Sequence, residues 1–136
     1  RRWTTKAKVD VFEMDHVIFP MNIGEMHWAM GAIDIKNQGF RYFDSMIKSP
    51  HPNFVPFLRR YLVDEHKTKK SKDLPDPDAW DLLVMDPPVP QQTNGYDCGV
   101  FTCFFGDRFS AGRALDFQQE DMPELRVRLA ARVVKA

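Results

Sequence analysis

Four residues of this chain have types and spacings that could do covalent chemistry: Cys98, His27, Asp44 and Gln92. Cys98 lies in Gln91-Gln92-Thr93-Asn94-Gly95-Tyr96-Asp97-Cys98-Gly99, which runs directly into the apolar stretch Val100-Phe101-Thr102-Cys103-Phe104-Phe105. A polar loop feeding an apolar run places the thiol at the first turn of a buried helix, where unpaired N–H groups and the helix dipole favour negative charge. A thiol attacks a carbonyl only as thiolate, and its reference pKa near ~8.5 falls at such a terminus or beside a protonated imidazole. Gly95 and Gly99 suit a tight turn and a close approach of backbone to substrate. Read alone, Asp-Cys-Gly is first of all a small buried hydrophobe, the state of most free cysteines.

His27 stands between Met26 and Trp28 after a Gly24-Glu25 turn, and by itself reads as a structural or solvent-facing imidazole. Asp44 lies 17 positions further on. A hairpin turning at Asn37-Gln38-Gly39 brings the end of one strand to the start of the other, so the two can meet. A carboxylate on one imidazole nitrogen leaves the other free to serve Cys98. Gln92 sits upstream of Cys98, and its side-chain N–H can join the Cys98 backbone N–H against an oxyanion. Each residue is weak alone; four in compatible positions are not.

The elements that must hold them are legible in outline. Val17–Ile23 reads as a strand, Trp28–Ile35 as a second and Phe40–Asp44 as a third, with the last two forming a hairpin. Asn53 is a candidate N-cap for a helix in which Phe54, Phe57, Leu58, Tyr61 and Leu62 recur at helical spacing. Lys67–Lys72, followed by Pro75 and Pro77, reads as a solvated loop, with a targeting signal or an acidic-partner contact as the alternative. Asp81–Met85 is a fourth strand candidate. Cys98–Phe109 reads as a buried helix, and Asp121–Val134 as a closing amphipathic helix with Leu125, Leu129 and Val133 on its apolar stripe. Strands and helices mix without βαβ alternation, which favours an α+β fold and one domain over residues 1–136.

Nineteen basic and nineteen acidic residues cancel. A neutral balance supplies no general field for nucleic acid or an anionic membrane, and no run approaches the roughly 18 apolar residues of a membrane span. Cys98 and Cys103 point ~140° apart on one helix, so a disulfide between them is not expected; two unpaired cysteines suit a reducing compartment, nucleus or cytosol. No His/Cys pair has metal-ligand spacing, and neither a metal nor a cofactor is expected. Arg1-Arg2-Trp3-Thr4 has no initiator Met and reads as the interior of a longer chain.

His27-Trp28, Tyr42-Phe43-Asp44-Ser45 and Pro90–Gly99, in the chain order His, Asp, Gln, Cys, resemble the ubiquitin-like-protein-specific cysteine proteases, the SUMO proteases. The order is the reverse of papain's, in which Cys comes first. Arg1–Thr4 and Leu115-Asp116-Phe117 with the closing helix resemble that family's later half. The resemblance implies a papain-like α+β fold, with a central mixed or antiparallel sheet flanked by helices, and cleavage after a diglycine C-terminus. Cys98 is then the nucleophile, His27 the base and acid, Asp44 its orienting partner and Gln92 the oxyanion donor. Trp28 covers the tunnel that accepts the glycines, with a plain core tryptophan as its alternative; for Trp3 the core or surface reading is preferred. The expected partner is SUMO or another ubiquitin-like modifier, together with an N-terminal part of the catalytic domain that this chain lacks. Nuclear location follows from the family. A related-fold acyltransferase and a non-catalytic module that binds ubiquitin-like proteins are the competing readings.

Overall fold

The structure, a computed structural model, describes residues 2–136; Arg1, the first residue of the Arg1–Thr4 flank, lies outside it. In chain order the elements are α1 (Arg2–Ala7), β1 (His16–Ile23), β2 (His27–Asp34), β3 (Gly39–Phe43), α2 (Phe54–Lys70), β4 (Asp81–Leu82), α3 (Cys98–Ser110) and α4 (Met122–Lys135), with single 3₁₀ turns at Val11–Glu13, Pro77–Ala79 and Gln119–Asp121. The strands form one sheet in the order β1-β2-β3-β4. Three and four residues join the first three strands, too few for a crossover, so these run antiparallel. β4 pairs parallel to β3, Gly39 opposite Asp81 and Phe40 opposite Leu82. The fold is therefore α+β, as the sequence pattern favours, with the mixed sheet that the resemblance implies.

Local chemistry explains the hairpins. Gly24 and Glu25 both have positive φ (61° and 60°), and Met26 N–H donates to Ile23 O at 3.3 Å. Two left-handed central residues are what a two-residue hairpin needs to match strand twist. The second turn spans Ile35–Gln38, and Gln38 rather than Gly39 takes the left-handed conformation, at φ 51°. Gly39 instead belongs to β3, where a Cβ would fall 2.4 Å from Leu83 Cγ.

The chain divides into two compact units, each assembled from three stretches. The first comprises Arg1–Ile18, Ala32–Arg41 and Pro50–Val84. Its core is Val11, Ile33, Phe40, Leu58, Leu62 and Trp80, all buried, and Arg59 ties α2 to the later segment by donating to Trp80 O at 2.6 Å. Thr4 Oγ1 donates to the buried Glu65 at 2.7 Å. The second unit comprises Phe19–Gly31, Tyr42–Ser49 and Met85–Ala136. It is built around phenylalanines: Phe105 lies 5.9 Å from Phe43 and 5.6 Å from Phe117, ring centre to ring centre, and Phe117 also meets Phe101 and Phe104. Such pairs add roughly 0.5–1.5 kcal/mol each beyond the area they bury. That cluster holds α3, whose N-terminus carries the thiol.

Several local expectations need correction. Asn53 occupies the N-cap position of α2 but makes no side-chain cap bond; Asn53 N–H is taken by His51 Nδ1 at 3.1 Å, and Phe54 N–H by His51 O at 2.9 Å. Phe57, counted with the apolar face, is 71% exposed. Lys67–Lys70 are helical, not loop, and α2 ends at left-handed Ser71. Lysines in a last turn complement the negative end of the helix dipole, so their charge favours helix there. β4 has two residues, not five, because Leu82 and Val84 are exposed and have no face to bury. Val133 is 70% exposed: α4 buries Met122 and Leu125 near its start, and its last turns face solvent.

Candidate active site

All five sequence candidates, His27, Trp28, Asp44, Gln92 and Cys98, fall in the second unit. His27 opens β2, and its Nε2 lies 2.7 Å from Asp44 Oδ1. Asp44 follows the end of β3 and is 1% exposed, a costly place for a carboxylate unless its lone pairs are answered. They are. Oδ1 also accepts from Met46 N–H at 2.8 Å and Ile47 N–H at 2.9 Å, and Oδ2 accepts from the Tyr42 hydroxyl at 2.6 Å. Burial raises the Tyr42 phenol above its usual pKa, and the Asp44 hydrogen bond and charge add to it. The phenol therefore stays a donor at every working pH.

With Asp44 acting as acceptor at Nε2, that nitrogen carries the hydrogen, and the neutral ring presents a lone pair at Nδ1. His27 Nδ1 is buried and has no hydrogen-bond partner. A buried, unanswered basic nitrogen is costly, and functional sites are where such groups occur. Cys98, a free thiol and 8% exposed, is the first residue of α3. The first intrahelical bond there is Phe101 N–H to Asp97 O at 3.0 Å, so the N–H groups of Cys98 and Gly99 lie ahead of the ladder.

The loop that delivers Cys98 is folded by its own side chains. Asn94 Oδ1 accepts from Tyr96 N–H at 3.2 Å and Asp97 N–H at 3.1 Å, an Asx turn. Asp97, buried just before Cys98, accepts from Asn94 Nδ2 at 2.7 Å, from Gln119 Nε2 at 2.9 Å and from the Arg126 guanidinium of α4. Burial pushes the Asp97 carboxyl up, but these hydrogen bonds and the Arg126 charge outweigh it and hold it below the usual carboxylate range. Gln92 is fixed at both ends: Oε1 accepts from the Ser45 hydroxyl, and Nε2 donates to Asn94 O at 2.6 Å. Gln91 Nε2 donates to Asp44 O at 2.9 Å.

Trp28, the residue after His27, is 41% exposed, so the plain core reading does not hold. Trp3 is 51% exposed. A Cβ added at Gly95 or Gly99 would meet nothing within 4 Å, and neither residue has positive φ; both leave open space at the loop and helix start rather than serving a strained turn. Cys103 is exposed on α3, and burial of its sulfur raises its thiol pKa. Tyr42 was within reach of the sequence, since i and i+2 on a strand share a face and place it beside Asp44. Nothing in the sequence signalled Gln119 and Arg126 as partners of Asp97, because they come from 22 and 29 positions away.

A carboxylate-bound imidazole with an unpartnered second nitrogen, and a free cysteine at a helix start, are the groups that thiol hydrolases use, here on a mixed α+β scaffold. The chain belongs to the Ulp1 protease family: residues 1–135 match its C-terminal catalytic domain. It is 37% identical over 136 residues to the putative ubiquitin-like-specific protease 1B of Arabidopsis thaliana, covering 98% of this chain and 39% of that protein. It is 36% identical over 130 residues to human sentrin-specific protease 2, covering 95% of this chain and 21% of that one. Its fold superposes on the C-terminal Ulp1 protease domain solved in complex with Smt3, the yeast ortholog of SUMO, with a TM-score of 0.77 at 32% identity over 93% of this chain and 55% of that domain chain. The chain thus spans about half of the solved domain and less than half of the full-length relatives.

Proposed function

We propose that this chain carries the catalytic centre of a thiol peptidase that cleaves after the C-terminal diglycine of SUMO or a related ubiquitin-like modifier. The observation that carries the reading is His27, bound to Asp44 through Nε2 and left with a buried, unpartnered Nδ1. In the reaction Cys98 Sγ attacks the terminal glycine carbonyl while its proton passes to His27 Nδ1. The developing oxyanion is met by the Cys98 backbone N–H and a Gln92 amide N–H. The C–N bond then breaks, with His27 returning the proton to the leaving amine. Water adds to the thioester through the same base, the C–S bond breaks, and the proton returns to sulfur. Exposed Trp28 and the open surface at Gly95 and Gly99 suit a substrate of two glycines, which brings no side chains to collide with them.

The support for the modifier class is the family and the Smt3-bound relative. Precursor processing and isopeptide deconjugation use the same chemistry, since both release an amine from the same acyl group. We place the working compartment in the nucleus, as the resemblance implies; imaging a tagged protein confined to the cytosol would overturn that.

Covalent capture tests the site. SUMO ending in a vinyl sulfone should add to the protein and not to Cys98→Ser, read by intact mass, while Cys103→Ser labels normally. Equal loss in both variants would reject Cys98 as nucleophile. No adduct from any folded sample would favour a non-catalytic binding module.

A further inference from the structure

A primary amide has two ends of similar shape and opposite polarity, and an oxyanion is stabilised by only one of them. Gln92 can serve the reaction only if Nε2, not Oε1, faces the substrate carbonyl. Asn94 O can accept but never donate, so its 2.6 Å contact selects Nε2 for that end of the amide. That leaves Oε1 facing Ser45, a residue 1% exposed whose hydroxyl donates to it. The backbone repeats the link, with Gln92 N–H donating to Ser45 O at 2.8 Å. Nε2 carries two hydrogens; one is spent on Asn94 O, and the other is available to substrate. Ser45 directly follows Asp44, so the chain segment that orients His27 also reaches across to the oxyanion donor.

We infer that Ser45 is a positioning residue for this chemistry: its hydroxyl holds the Gln92 amide with Nε2 presented to the oxyanion. The inference rests on the oxyanion role proposed for Gln92. Donation to Oε1 also polarises the amide, making the remaining N–H a better donor, as in any chain of hydrogen bonds. Without the hydroxyl, the half-buried Oε1 loses its partner, and the amide relaxes toward other rotamers or flips.

The test is steady-state hydrolysis of SUMO carrying a C-terminal aminocoumarin amide. Ser45→Ala should lower kcat about 10-fold with KM within about twofold, the loss of one buried hydrogen bond felt in the transition state. Gln92→Ala should lower kcat on the order of 10²–10³-fold. In the Gln92→Ala background, Ser45→Ala should cost nothing further, because a positioning residue has no one left to position. Ser45→Cys keeps the volume and weakens the donor, so it should reproduce the Ser45→Ala loss if the alanine variant folds poorly. Alkylation of Cys98 by iodoacetamide needs no oxyanion donor and should proceed at the parent rate in both serine variants. A loss under twofold in Ser45→Ala, or a loss that persists undiminished without Gln92, would overturn the inference. A kcat within twofold of the parent for Gln92→Ala would overturn the underlying reading instead, and the two failures are distinct.

Discussion

Asp34 closes β2 and Asp44 follows β3; each is 1% exposed, and each is fully answered by hydrogen bonds, yet their partners differ in kind. Asp34 accepts from Asn37 N–H at 3.1 Å, from Asn37 Nδ2 at 2.9 Å and from Arg41 Nε at 2.9 Å. A guanidinium stays charged at any working pH and the amides cannot ionise, so this cluster has one state and pins the Ile35–Gln38 turn. Asp44 is answered by a tyrosine, two backbone amides and an imidazole. Only the imidazole has a second ring nitrogen beyond the one that Asp44 holds, and that far nitrogen is left unanswered. One buried carboxylate has partners that end at the bond they make, and the other holds a partner with a second nitrogen to offer.

Neutralising each aspartate would break that contrast most directly if it is false. Asp44→Asn should lower kcat by about 10³–10⁴-fold, because an amide can hold the imidazole in the wrong tautomer. Asp34→Asn should leave kcat within about twofold and instead lower stability by roughly 1–3 kcal/mol, the cost of disturbing a buried charged network. Similar kinetic losses in both, measured beside their denaturation curves, would erase the distinction. A smaller effect sharpens it. Tyr42→Phe removes one donor from Asp44 and should cost about 5–10-fold in kcat/KM, roughly one buried hydrogen bond to a charge. The phenol does not ionise between about pH 6 and 9, so the fold-loss should be the same across that range. A loss confined to one limb of the profile would mean that Tyr42 acts by titrating.

The smallest effect lies in acid. Burial pushes the Asp34 carboxyl up, and hydrogen bonds from Asn37 and Arg41 with the Arg41 charge outweigh it, leaving it below the usual carboxylate range. A depressed carboxylate stabilises the fold above its unfolded value near ~3.9 and loses that contribution as pH falls through its folded pKa. The stability gap between parent and Asp34→Asn should therefore be full at neutral pH and shrink below about pH 4. Thermal melts that keep a constant gap down to about pH 3 would show that ionisation of Asp34 is not what stabilises the turn.

The sequence pattern carried the three long strands to within a residue, and it carried α3, because alternation, turn residues and an apolar run are local signals. It paired His27 with Asp44 correctly, since hairpin geometry fixes which residues oppose each other once the turn is placed. It erred where burial depends on distant packing. Phe57 and Val133 sit at apolar positions of real helices, but neither is buried. β4 shrank to two residues because its side chains met solvent on an edge.

The same division holds for the site. By itself the sequence determined the residue types, their order and the family they belong to: thiol, imidazole, carboxylate and amide are properties of composition and local spacing. Only the tertiary structure decided that Asp44 takes Nε2 and leaves Nδ1 unpartnered, that Ser45 faces Gln92 Oε1, and that Arg126 of α4 reaches Asp97. The reason is physical. A hydrogen bond depends on direction within a fraction of an ångström, and partners 29 or 47 positions apart acquire that direction only when the intervening chain has packed.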